Sequence, residues 1–245
     1  MKIIIIAIGL LSSFVCLPID NSYECIGLGE TCTVAAALQM FQLRKAAYPL
    51  DWTICNYNAL CSILQEDFKD FLNPNYLSIR ADNHGIINKY GLVFVHDFPT
   101  IYYSGDVEKE DTVGENELRH DWINFLPEIQ NKYERRIQRL RDVCISEKKI
   151  YFIRHGGIKD KQQACALRDI LKKAYPYLDF ILVIIGNDLS FEKPWEESHI
   201  KNYYLRNTTV WNDVAEWKNI FIDLGLLSLK SKAITSIKCL RHHPL

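Results

Sequence analysis

The stretch from Lys148 to Asp188 leaves few folds open. It reads "KKIYFIRHGG", then a helical pattern from Asp160 to Lys173, then "DFILVIIGND". Both strand-like runs are apolar without alternation, so neither face of either can meet water. Strands buried on both faces belong to parallel sheets covered by helices. The class implied is α/β, or mixed α+β: a mostly parallel sheet flanked by helices in a single compact domain. An internal join between docked halves would fall near residues 142–149.

The upstream pattern agrees with that class. Glu24 to Leu28 reads as a short buried strand closed by Gly27 and Gly29. Val34, Ala35, Leu38 and Phe41 follow a 3.6-residue period, which predicts a helix over Thr31 to Gln42. Pro49 breaks the chain in "AAYPLDW", and a second helix is expected from Tyr57 to Phe71, stopped by Pro74. Short strands are expected at Ile86–Ile87 and Gly91–Val95. A long helix from Gly114 to Arg141 carries many charges on a solvated face, and a last helix spans Asp213 to Leu224.

The first 22 residues stand apart from this pattern. Lys2 precedes an apolar run from Ile3 to Leu17, and Pro18 to Ser22 forms a polar break. That is the layout of a secretory signal or membrane anchor, too short for an ordinary span. It predicts a secreted or membrane-anchored domain over residues 23–245, with no other membrane contact. The competing reading takes "KIIIIAIG" as a buried first strand of a cytoplasmic protein. A sequon at Asn207-Thr208-Thr209 matters only on a eukaryotic secretory route.

Net charge is −1 and no run of five basic residues occurs, so counterion release has little to act on. Nucleic acid is excluded as a main partner. The eight cysteines show no paired spacing of the zinc type, and no metal or cofactor is expected.

One cysteine sits differently from the rest. In "IGLGETC", Cys32 stands where a glycine turn feeds a helix, beside open backbone N–H groups and the positive end of the helix dipole. Both favour a thiolate, and Gly29 lets backbone approach a ligand closely. A small apolar residue filling the core is the plain alternative. A thiolate needs an imidazole to hold the ion pair and return the proton. His96 ends the apolar strand "GLVFVHDF", and His155 ends another beside Arg154, Gly156 and Gly157. His96 is favoured of the two. Asp97, Asp51 and Asp106 are the candidates to orient the ring, and spacing does not choose among them. Asp51 and Trp52 in "YPLDW" could serve structure alone, as cap and core, or help hold base or substrate. Arg154 is a candidate donor to an anionic group. Its Arg-His-Gly triplet lies too late in the chain, without a further Arg and His, for a histidine phosphatase.

Several segments together resemble a family of bacterial and viral proteins designated domain of unknown function 1796 and described as papain-like cysteine peptidases. These are Leu28, Gly29, Cys32, Ala35 and Leu38; Leu43-Arg44 with Tyr48 to Trp52; and His96-Asp97-Phe98. "YFIRHG" and "WNDVAEWKNIF" are also similar to family segments, so the resemblance runs from about Tyr23 to Leu224. It implies a thiol hydrolase or acyltransferase acting on a peptide or another amide or thioester. Cys32 would be the nucleophile, His96 the general base, and an acid such as Asp97 or Asp51 the orienting partner. Two other readings stand beside it. One is a non-peptidase α/β transferase holding an anionic glycan or nucleotide at the glycine turn and Arg154. The other is a binding module without chemistry.

Overall fold

The computed structural model describes residues 22–104, 107–110, 117–206, 210 and 213–231. The apolar leader, the sequon at Asn207 and the C-terminal histidines lie outside them. In chain order the elements are β1 (Tyr23–Gly27), α1 (Thr33–Met40), β2 (Thr53–Ile54), α2 (Tyr57–Gln65), β3 (Ser78–Ile79), β4 (Ile86–Ile87) and β5 (Val93–Phe94). Then come β6 (Thr100–Ser104), β7 (Val107–Glu110), β8 (Glu117–Leu118), α3 (Leu126–Cys144), β9 (Lys149–His155), α4 (Lys161–Ala174), β10 (Phe180–Gly186), β11 (Ile200–Tyr204) and α5 (Val214–Asp223).

The central sheet has the order β1-β9-β10-β11 and every pairing in it is parallel. The expected class is borne out, and the two apolar runs are its middle strands. Strand alternation divides the core in two. Ile26, Ile150, Phe152, Phe180, Leu182 and Ile184 join a cluster with the buried sides of α2, α3 and α4. Cys25, Ile153, Val183 and Ile185 face the other way, against Val34, Ala37 and Leu38 of α1 and Trp217 and Phe221 of α5. The alanines of α1 let that helix lie close, and seven of its eight residues are buried.

Two smaller antiparallel sheets sit beside this layer, β2-β5-β4-β3 and β7-β6-β8. The second replaces part of the expected long helix. Helix α3 begins at Leu126, not Gly114, with a proline in its first turn, where the missing N–H costs nothing. Helix α2 stops at Gln65 rather than Phe71, because Asp67, Phe68 and Asp70 all take positive φ. Strand β11 was not foreseen. Among the described residues no helix is long and apolar enough to cross a membrane.

Candidate functional site

Cys32 occupies the position ahead of the first turn of α1, at φ −71° and ψ −3°, and is half-buried. The turn that delivers it is left-handed at two successive residues, Gly29 at φ 75° and Glu30 at φ 72°. Gly29 is required twice over, since a Cβ there would stand 2.8 Å from the Cβ of Cys55. Glu30 is not a residue that adopts this region freely.

Its conformation is held from β9. Arg154 is completely buried, and its Nη1 donates to the Leu28 carbonyl at 2.7 Å. Nη2 donates to the Cys55 carbonyl at 3.0 Å and to Glu30 Oε2. Burial pulls the guanidinium pKa down and the Glu30 carboxylate opposes the change. Arg154 was a candidate anion binder, yet no surface of it faces solvent. It grips the cysteine turn instead.

His155 follows Arg154 and points to the opposite face of the sheet, as strand alternation requires. It is 6 % exposed, with its ring edge-on to Trp217 at 5.6 Å. Trp217 lies on α5 one turn after Asp213, which is 5 % exposed and immediately precedes that helix. The Gly156-Gly157 turn beyond His155 touches the cysteine turn directly, since a Cβ on Gly156 would lie 3.5 Å from Glu30 Cγ. The heads of α1 and α5 thus flank the carboxyl end of β9, where ligands of parallel sheets are held.

His96 lies elsewhere. The β2–β5 register pairs Thr53 with Phe94, which sets His96 at the Asp51–Trp52 end of that ladder. Its ring meets Trp52 edge-on at 6.3 Å, and the Arg44 guanidinium covers Trp52 at 5.5 Å. Crowding lowers the His96 pKa, with Asp97 pulling the other way; the residue stays exposed, so solvent blunts both effects.

Neither acid expected to orient that ring is bonded to it. Asp97 Oδ2 accepts from the Tyr133 hydroxyl at 2.7 Å, and Oδ1 pairs with Lys132 at 2.8 Å. Asp51 accepts from Arg44 Nε at 3.1 Å, from Arg44 Nη2 at 2.9 Å and from the Tyr48 amide at 2.9 Å. Burial still pushes the Asp51 carboxyl upward. Trp52 is 5 % exposed and Gly29 is buried. Asp106 lies outside the described residues.

Sequence reasoning had not singled out Glu30, Asp213 or Trp217 as site residues. Asp213 was readable as a helix start, which is a structural signal. Nothing in "LGETC" announces a left-handed glutamate. Among the described residues, no three His, Cys, Asp or Glu side chains gather as a metal site.

A family model described as "Putative papain-like cysteine peptidase (DUF1796)" matches residues 23–189. A protein of Acanthamoeba polyphaga mimivirus, described as uncharacterized protein R408, is 26 % identical over 238 residues, covering 83 % of this chain and 99 % of the viral one. No solved structure matches the chain.

Proposed function

Since the chain belongs to the DUF1796 family, we propose that it is a thiol hydrolase in which Cys32 attacks a peptide bond or another amide or thioester carbonyl, served by His155. The observation that carries this reading is the contact between the turn bearing Cys32 and the turn that follows His155.

The chemistry follows from the helix head and the imidazole. His155 takes the thiol proton, and the positive end of α1 stabilises the thiolate. Sulfur bonds to the carbonyl carbon and the π electron pair moves to oxygen, where amides at the helix head stabilise it. The imidazolium then gives its proton to the leaving nitrogen as the C–N bond breaks. Water, deprotonated by the same ring, hydrolyses the thioester and restores the thiol. Asp213 supplies the buried carboxylate that orients the imidazole, and Trp217 screens the pair from solvent.

The anionic-substrate reading loses its donor, because Arg154 is buried and already serves three acceptors. Iodoacetamide labelling at about pH 5 tests the proposal, far below an ordinary thiol pKa. Cys32 should carry the label alone. Burial pushes the Cys55 and Cys144 thiols up to about 12 and Cys25 higher still, so none of these should react. Replacing His155 by Ala should abolish the acid reactivity, and His96→Ala should leave it. The reverse result would restore His96 as the partner; an inert Cys32 would end the thiol reading.

A further inference from the structure

Glu30 and Arg154 are joined in a way that a surface ion pair is not. Arg154 is fully buried, while the Glu30 side chain keeps 28 % of its surface exposed. The Glu30 backbone N–H also donates to the Cys55 carbonyl at 3.2 Å, the oxygen that Arg154 Nη2 already contacts. One guanidinium therefore fixes the turn at Leu28, ahead of the left-handed pair, and at Glu30, within it. Cys32 follows two residues later with little freedom left. A non-glycine residue rarely adopts this backbone region, and it persists there only where the surroundings impose it.

We propose that the Glu30–Arg154 pair is a positioning latch for Cys32: it holds the left-handed turn that leads to the sulfur and keeps that turn electrically balanced. The idea rests on the thiol-hydrolase reading above and extends it to residues that touch no substrate. The charged and titratable groups around the latch are Glu30 on the turn, Arg154 and the adjoining His155 on β9, and Cys55, Tyr57 and Cys61 on the α2 side. Within the latch the two charges cancel. Neutralising Glu30 leaves the buried Arg154 cation uncompensated beneath the turn that leads to Cys32, which favours thiolate. Neutralising Arg154 leaves the Glu30 carboxylate unbalanced on that turn, two residues before Cys32, which disfavours it. A purely structural pair would damage the site in one direction whichever partner was removed.

The test uses the full chain and follows the rate of Cys32 alkylation by iodoacetamide against pH, with melting curves for each variant. Glu30→Gln should move the acid midpoint down and raise the rate below the wild-type midpoint by about threefold to tenfold. Arg154→Met should move it up and lower that rate by a similar factor, and Arg154→Lys should stay near wild type. Shifts of Glu30→Gln and Arg154→Met in one direction, or no shift in Glu30→Gln, overturn the latch. If Arg154→Met does not fold, Glu30→Gln and Arg154→Lys decide on the same criteria. A wild-type chain with no acid midpoint at Cys32 removes the thiol reading and the latch with it. Failure of the latch alone leaves that wild-type midpoint in place.

Discussion

Gly157 has no room for a methyl group. A Cβ there would overlap the Glu30 carboxylate and lie 2.7 Å from Arg154 Nη2, at a φ of 68° that side chains rarely adopt. Gly157→Ala should therefore cost about 2–4 kcal/mol, from left-handed strain and overpacking together. Chemical denaturation measures it, and a loss below 1 kcal/mol would mean that Glu30 swings aside freely. The consequence reaches function, because the displaced group is the carboxylate that Arg154 uses to hold the cysteine turn. At this scale the sequence was a partial guide. Cys32 was legible from its glycine turn and the helix behind it, which are local features. Its neighbour across the sheet was not, since strand pairing between residues more than a hundred positions apart leaves no local trace. His96 and His155 both end apolar strands, and only the parallel pairing of β1 with β9 brings the second beside the cysteine turn.

Elements were legible where caps and periodicity agree. Asn56 accepts a hydrogen bond from the Ala59 amide at 2.9 Å and starts α2 where the hydrophobic period begins. Asp160 does the same for α4 through the Gln163 amide at 2.9 Å. Asn56→Ala should cost about 1 kcal/mol by thermal melting. An unchanged midpoint would mean that packing against α4 alone sets the start of α2. Elements were misread where charge pattern was asked to stand in for apolar pattern. The run from Gly114 looked helical because it was charged, yet residues 117–118 are a strand. The helix begins only where Leu126, Ile129, Tyr133, Ile137 and Leu140 set a buried stripe. Hydrophobic spacing orders an element against its neighbours; solvated charges tolerate either conformation.

At the scale of the whole molecule, the carboxylates of the motifs "YPLDW" and "HDF" hold segments of the fold together. Asp97 lies just beyond β5 and ties the small antiparallel sheet to α3, through the Tyr133 hydroxyl and Lys132. Tyr133 is 1 % exposed and packs edge-to-face on Phe94 at 5.1 Å, so its hydroxyl has no water to fall back on. Helix α3 in turn shares its buried stripe with the main sheet. Removing the carboxylate orphans a buried donor, at a cost of about 1–3 kcal/mol. Asp97→Ala should therefore lower the unfolding free energy by that amount and leave the acid midpoint of Cys32 alkylation where it is. Tyr133→Phe should show the same separation, since it deletes the donor in place of the acceptor. The two measurements pull apart the roles that the sequence left together. If Asp97→Ala moved the Cys32 midpoint while stability held, the carboxylate would belong to the thiol site. An altered stability with an unmoved midpoint makes it a tie between sheets, and the site then consists of what the carboxyl ends of β1 and β9 and the heads of α1 and α5 bring together.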